Sequence, residues 1–209
     1  MQESHLFHRI YTHNSELLES SDNARWIPGG GIWIGTEWGG GEIKVYDKSR
    51  LVSMVTSDKA MCPLHTMRKE LARYLYNNQP FDTRPYYFDI YGTEYGGPVK
   101  AVEYLKDYMF SIVFENYVDK LYFTEKILNC FATGTVPVYI GASKIGSVFD
   151  QSGIIQFSSM TEFFSSAIRR ITRDNYLNML PAIRKNHETC KQFACIEDYM
   201  WEHYIENNV

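Results

Sequence analysis

Cysteine is scarce in this sequence, and no two cysteines form a C-x-x-C pair. The four cysteines, Cys62, Cys130, Cys190 and Cys195, are scattered, which predicts reduced thiols in a reducing compartment and no metal site. Long apolar runs are also missing, since no window approaches the ~18 continuous apolar residues of a membrane span. The first residues, Met-Gln-Glu-Ser-His, lack the basic and then apolar stretches of a signal peptide. We therefore expect a soluble, cytoplasmic protein without a membrane span.

Clusters of like charge and the common nucleotide-binding motifs are absent as well. The 21 Lys and Arg residues stand against 25 Asp and Glu residues, which gives a net charge of −4 without any run of one sign. Nucleic acid is therefore not the expected partner. The sequence has no G-x-G-x-x-G and no G-x-x-x-x-G-K, which excludes the usual dinucleotide and P-loop sites. It also has no Asp-x-Asp pair, which argues against a diphosphate bound through a metal.

Apolar strands alternate with amphipathic helical segments from residue 51 onward. The predicted strands are LVSMVTSD, YYFDIYG, FSIVFEN, VPVYIG and GIIQF. The predicted helices are LHTMRKELARYLYNN, VKAVEYLKDY, TEKILNCFATG, MTEFFSSAIRRI, DNYLNMLPAIRKNHETC and IEDYMWEHYIE. This alternation predicts right-handed βαβ crossovers, and therefore an α/β fold with a Rossmann-like parallel sheet and helices on both faces.

The first fifty residues have a different character. They hold seven of the 14 glycines, all between residues 29 and 41, among short segments such as HRIYTHN and SELLES. This composition favours an irregular connecting segment. We therefore divide the chain into a stub or linker at 1–50, a Rossmann-like ligand-binding domain at 51–190 and a C-terminal helix at 191–209.

Polar residues gather where two strands of the predicted sheet end. Glu115 and Asn116 follow the strand Phe110–Phe114, and Thr124 is placed to cap the next helix, which begins Glu125-Lys126. The carboxyl ends of parallel strands bind ligands, and a helix N-terminus attracts anions. Lys126 opposes the helix dipole there, so a bound anion would explain it better than helix stability does.

Arg68 is a second cation at the same edge, because it lies near the start of the helix after strand 51–58. Together with Lys126 it would form a two-point clamp on a diphosphate. Each candidate also has a plain structural interpretation. Glu125 is a favourable residue for a first helical turn. Lys126 and Arg68 can be ordinary surface residues, and His65 can be a surface or a capping residue. Asn116 can cap a strand end, and Tyr122 can be a packing aromatic.

The stretch FSIVFENYVDKLYFTEKILNCFATGTVPVYIG closely resembles the donor-binding signature of the α-1,3-fucosyltransferases, glycosyltransferase family 10. That signature has an apolar strand, Phe-Glu-Asn, Tyr-x-Thr-Glu-Lys and a later Pro-x-x-x-Gly strand. KSRLVSMVTSDKAMCPLHTMRKELARYL and DIYGTEYG resemble its upstream elements. The resemblance covers roughly residues 50–180, and 9–35 more weakly.

The resemblance implies the C-terminal, donor-binding half of a GT-B glycosyltransferase. Arg68 and Lys126 would bind the diphosphate of GDP-fucose and stabilise the leaving group, and Glu125 would hold the ribose. Asn116 and Tyr122, with Glu115 beside them, would line the fucose and phosphate pocket. Family members need no cofactor or essential metal and invert the anomeric centre while transferring fucose to a glycan hydroxyl.

The resemblance does not identify a catalytic base in this sequence. In the family the base belongs to an acceptor-side domain, which would lie before residue 1, and Glu16, Glu37 and Glu42 match no motif. We therefore expect a homodimer or a partner chain that supplies the missing domain, docked near Trp33, Trp38 and Trp201. The alternatives are a GT-B transferase with another nucleotide sugar, and a nucleotide-sugar-binding module without catalysis of its own.

Overall fold

A computed structural model describes residues 6–78 and 88–206. The described strands form two parallel sheets. The small sheet pairs β1 (Ile10–Thr12) with β2 (Ala24–Trp26). The main sheet has the order β4-β3-β5-β6-β7 and is built from β3 (Arg50–Thr56), β4 (Phe88–Gly92), β5 (Tyr108–Phe114), β6 (Val136–Ile140) and β7 (Ile155–Gln156).

Helices connect the strands and close the chain. The α-helices are α1 (Ser15–Ser20), α2 (Pro63–Asn77), α3 (Glu125–Thr133), α4 (Met160–Ser165), α5 (Arg173–Cys190) and α6 (Ile196–Met200), and a π-helical turn at Trp201–Ile205 follows α6. Among these described helices, none combines the length and the apolar character needed to cross a membrane.

The order of the main sheet confirms the predicted fold class. Helix α2 connects β3 to β4 in one direction across the sheet, and α3 connects β5 to β6 in the other. Right-handed crossovers in opposite directions place their helices on opposite faces of a parallel sheet. The fold is therefore α/β, with a Rossmann-like parallel sheet covered on both faces.

The two central strands explain why the sheet is buried. Every residue of β5 and β6 is buried, as expected of parallel strands with helices on both sides. Helix α3 begins where the Thr124 side chain accepts a hydrogen bond from the backbone N–H of Lys126, and it ends at Gly134 with φ 74°. The cap that the sequence predicted at Thr124 is confirmed, and the glycine supplies the left-handed conformation of the helix end.

Two of the predicted helices are shorter than their sequence patterns suggest. VKAVEYLKDY forms only a 3-10 turn at Ala101–Tyr104, because the backbone oxygen of Asp107 accepts hydrogen bonds from Ser49 and Arg50 and Tyr108 already belongs to β5. MTEFFSSAIRRI breaks after α4 into a second 3-10 turn at Ala167–Arg170. The predicted strand YYFDIYG is seen from Phe88 onward, and its first two residues lie outside the described part.

The segment before residue 50 packs onto the main sheet. Ile32 and Ile34 belong to the same buried apolar cluster as β3, β5 and β6, and Trp26 contacts Phe193 and Tyr199 at ring-centroid distances of 6.2 and 6.0 Å. The boundaries at residues 50 and 190 stay predictions. The glycine-rich segment is nevertheless part of the packed structure, and it lies beside the carboxyl ends of the strands.

Candidate functional site

Arg68, Glu125 and Lys126 line one cavity of about 220 Å³ at the carboxyl ends of β3 and β5. The sequence placed these residues at one sheet edge, and the structure brings their side chains to the same space. The other lining residues are Trp33, Trp38, Val55, Thr56, Ser57, Val99, Ala101, Tyr104 and Ser111 to Phe114. The cavity therefore joins two strand ends, the start of α3, the segment before β5 and the glycine-rich segment.

Arg68 is a buried cation with few partners. Its residue is 8% exposed, and its Nη2 donates a hydrogen bond to Ser57 Oγ at 3.1 Å. The Nε atom is buried and has no hydrogen-bond partner among the described residues. Among the same residues, no carboxylate forms an ion pair with Arg68. Burial lowers the pKa of this guanidinium. The surface interpretation of Arg68 is thus wrong, and its charge is left to interact with whatever occupies the cavity.

Lys126, in contrast, is surrounded by acceptors. Its Nζ lies 3.0 Å from Glu125 Oε1, 3.4 Å from Glu115 Oε2 and 2.9 Å from Thr124 Oγ1. Burial lowers the pKa of Lys126, but the two carboxylates outweigh this effect and raise it above its ordinary value. An anion is therefore not the only explanation for a lysine in this first turn. The carboxylates already hold it in place.

Glu115 organises the loop that leads into α3. Its side chain is fully buried and accepts hydrogen bonds from the backbone N–H and the hydroxyl of Thr124, at 2.9 and 2.7 Å. Burial raises the pKa of Glu115, although Lys126 and Thr124 act in the opposite direction. Glu115 does not line the cavity, so it is placed to support Lys126 and Thr124 from behind.

Asn116 and Tyr122 lie together but outside the residues that line the cavity. Asn116 Nδ2 donates to the Tyr122 hydroxyl at 3.4 Å, and Asn116 Oδ1 lies 3.0 Å from His65 Nε2. Tyr122 stacks on Tyr117 with a centroid distance of 4.0 Å. His65 is buried, so its surface interpretation is wrong. The six candidates thus divide into three that share the cavity and three in the segment between β5 and α3 that do not line it.

The glycine-rich segment lies directly on the Tyr122–Glu125 loop. A Cβ atom on Gly29 would come within 2.8 Å of the Tyr122 ring, and one on Gly30 within 3.3 Å of Glu125 Oε2. The backbone N–H of Gly29 also donates to the Phe123 oxygen at 2.8 Å. Composition alone suggested a loose linker, whereas these glycines permit a close approach of two backbones at the candidate site.

Trp33 and Trp38 are the main cavity residues that the site prediction missed. The sequence indicated them only as exposed apolar residues for docking a second domain. The available signal is the spacing of the glycines, since Trp33 lies between Gly31 and Gly35 and Trp38 lies between Gly35 and Gly39. The amide oxygen of Asn129, one turn into α3 from Lys126, accepts the backbone N–H groups of Trp33 and Ile34 at 2.8 and 3.2 Å.

The carboxylates considered as a catalytic base do not belong to this cavity. Glu16, Glu37 and Glu42 are exposed, and none of them is among the lining residues. Glu42 pairs with Lys44 at 2.9 Å, and the hydrogen bond from Lys44 lowers the pKa of Glu42. A general base that works near neutral pH needs a pKa shifted in the opposite direction.

Residues 45–202 match the family described as "Glycosyltransferase family 10 (fucosyltransferase) C-term", which is well over half of the chain. The chain belongs to this family. The matched region of this family 10 protein contains all six predicted site residues, Arg68, Glu115, Asn116, Tyr122, Glu125 and Lys126. Trp33 and Trp38 precede the matched region.

Similar solved structures include two structures of α1,3-fucosyltransferase and one of a DNA-modifying β-glucosyltransferase. One α1,3-fucosyltransferase structure has 23% identity and a TM-score of 0.49, with 70% of this chain and 46% of that chain covered. A structure of an α1,3-fucosyltransferase with GDP-fucose has the same identity and TM-score, with 70% and 48% covered. The β-glucosyltransferase has 12% identity and a TM-score of 0.40, with 77% and 53% covered. The family 10 chain thus spans about half the length of these structures.

Proposed function

We propose that this chain binds GDP-fucose without a divalent metal or cofactor and provides the donor site of an inverting fucosyltransferase. One observation carries the proposal. The buried Arg68, which forms no ion pair with a described carboxylate, and the first-turn Lys126 line a single cavity at the carboxyl ends of two parallel strands. Membership of family 10 favours a transferase over a binding module without catalysis.

Arg68 would contribute most of the attraction for the diphosphate. A guanidinium presents N–H donors in a planar fork that matches phosphate oxygens. Arg68 is buried and lines the cavity, so its guanidinium has already lost part of its hydration before a ligand binds. Ser57 accepts a hydrogen bond from Nη2. A phosphate oxygen would pair with the remaining N–H groups of the fork, and it would reach the buried Nε–H only if the side chain shifted.

Lys126 and Glu125 would act as a pair that a nucleotide rearranges. Lys126 Nζ lies 3.0 Å from Glu125 Oε1. If Lys126 turned toward a phosphate, both oxygens of the Glu125 carboxylate would be free to accept the two ribose hydroxyls. Glu115 would keep the ammonium close to the helix end during this exchange, because it approaches Lys126 from the buried side at 3.4 Å.

The proposed reaction is an in-line displacement at the anomeric carbon of fucose. A hydroxyl of a glycan acceptor attacks this carbon while the bond to the GDP oxygen breaks, and a carboxylate or histidine accepts the hydroxyl proton. Negative charge then grows on the diphosphate. Preorganised cations and helix N–H groups stabilise such charge more in the transition state than in the ground state, which is the role we give Arg68, Lys126 and the start of α3.

Calorimetric titration tests which class of donor binds, whether or not this chain catalyses transfer. We expect GDP and GDP-fucose to bind in the presence of EDTA, and UDP-sugars to bind much more weakly. GDP-mannose separates recognition of the sugar from recognition of GDP. Preference for a UDP-sugar, or the absence of binding to any of these ligands, would contradict the proposal.

A further inference from the structure

The cavity has an aromatic wall for which the proposed contacts with diphosphate and ribose leave no role. Trp33 and Trp38 are 47% and 70% exposed, and both line the cavity together with Arg68, Glu125 and Lys126. Two exposed tryptophans beside one cavity form an apolar patch of the kind that marks ligand-binding grooves and interaction sites. Since they share one space with the proposed diphosphate groups, a part of the same ligand can reach them.

Residues 33–41, which we name the tryptophan loop, hold these two side chains in a closed arrangement. Gly35 donates to the Gly40 oxygen at 3.1 Å, and the Trp33 oxygen accepts both the N–H and the hydroxyl of Thr36, at 3.0 and 2.7 Å. Gly39 packs so closely that an added Cβ would lie 2.0 Å from the Trp33 oxygen. A loop that is ordered before binding loses little conformational entropy when a ligand arrives.

The opposite wall is attached to the same loop. The N–H of Val102 donates to the Gly39 oxygen at 2.9 Å, and Val102 belongs to the 3-10 turn whose Ala101 and Tyr104 line the cavity. From the side of α3, Asn129 holds the backbone of Trp33. The loop is therefore fixed from both sides, as a rigid platform for a flat ligand would need.

The candidate residues that line the cavity, compared with those that do not, indicate which part of the donor the cavity would hold. The groups proposed for diphosphate and ribose, Arg68, Lys126 and Glu125, line the cavity, whereas Asn116 and Tyr122, proposed for the fucose and phosphate pocket, do not. The cavity therefore corresponds to the nucleoside end of the donor. We infer that Trp33 and Trp38 stack on the base and select a purine over a pyrimidine, an inference that rests on the proposed function. A purine offers the larger flat face to an aromatic platform.

Binding measurements on tryptophan variants test this inference. We expect Trp33→Ala and Trp38→Ala each to raise the Kd for GDP by about 5- to 150-fold, the range that ~1–3 kcal/mol per stacked base implies. The Kd for UDP should rise less, and the Kd for inorganic pyrophosphate should stay within about twofold. Trp33→Phe and Trp38→Phe should retain part of the affinity. GDP should also quench tryptophan fluorescence in the wild type, and by less in either alanine variant.

Trp201→Ala is the matched control, because Trp201 is 52% exposed on the C-terminal π-helical turn and does not line the cavity. It should bind GDP like the wild type. The inference is overturned if both alanine variants bind GDP normally, or if pyrophosphate and GDP weaken equally, since the loop would then only shape the phosphate site. A wild type that binds neither GDP nor pyrophosphate would overturn the proposed function itself, and the inference with it.

Discussion

Replacement of Arg68 by methionine should weaken nucleotide binding without weakening the fold. The side chain is buried on the inner face of α2. Its Nη2 donates to Ser57 Oγ, whereas its Nε–H has no partner among the described residues. A hydrogen bond to a charged group contributes about 1.5–3 kcal/mol, so we expect the Kd for GDP to rise by about 10- to 150-fold. Titration calorimetry in EDTA measures this change.

The same substitution should leave stability unchanged or raise it. Methionine is an unbranched helix former of similar length, and it removes a desolvated charge that lacks a full set of partners. The free energy of unfolding should therefore stay within about 1 kcal/mol of the wild type or rise by about 1–2 kcal/mol, as urea denaturation would report. Arg73→Met is the matched control, because Arg73 is exposed on the same helix. A destabilised Arg68→Met variant with normal GDP binding would assign Arg68 a purely structural role.

Three further expectations concern the metal, the lysine of the site and a lysine at the opposite edge of the sheet. Excess EDTA should leave the Kd for GDP unchanged, and restoration of lost binding by magnesium or manganese would disprove metal-free binding. Lys126→Met should lower the free energy of unfolding by about 1–3 kcal/mol, since it leaves buried Glu115 unpaired, and Glu115→Gln in the same chain should restore most of the loss. Burial lowers the pKa of Lys48 toward about 7, although the hydrogen bonds from its Nζ to Leu105 O, Lys106 O and Thr135 Oγ1 favour the charged form. The unfolded state therefore binds more protons above neutral pH. Stability should rise from pH 7 to 9 by at most ~1.4 kcal/mol per unit, and Lys48→Met should flatten this slope in urea denaturation.

The sheet could be predicted from the sequence because its central strands are continuous apolar runs with helical patterns between them. Phe110–Phe114 and Val136–Ile140 leave little choice of structure when both faces are covered. The segment at 99–108 was predicted wrongly because its helical pattern is local, whereas its end is fixed by distant pairing of Asp107 with Ser49 and Arg50. Tertiary hydrogen bonds of this kind leave no trace in a local pattern.

Only part of the candidate site could be predicted, because some of its residues are positioned by contacts between distant parts of the chain. Strand order is enough to place Arg68 and Lys126 at one edge. In addition, Arg68 occupies the apolar stripe of α2 formed by Leu64, Leu71 and Leu75, and a charge in such a stripe indicates a special role. The position of Trp33 depends instead on a hydrogen bond to Asn129, 96 residues away. Such a contact becomes visible only after the glycine-rich segment has folded back onto α3.

The two carboxylates beside the proposed diphosphate site give its two cations, Lys126 and Arg68, different roles. Glu115 and Glu125 would repel a nucleotide diphosphate if Lys126 were not between them, 3.4 and 3.0 Å away. If all three are ionised, their charges sum to one negative charge, so this cluster by itself does not attract an anion. Attraction then depends on Arg68, which pairs with no carboxylate among the described residues, and on the N–H groups at the start of α3. Lys126 should therefore matter more for the fold around Glu115, and Arg68 more for GDP affinity. A greater loss of affinity in Lys126→Met than in Arg68→Met would show that the ammonium leaves its carboxylates when the nucleotide binds.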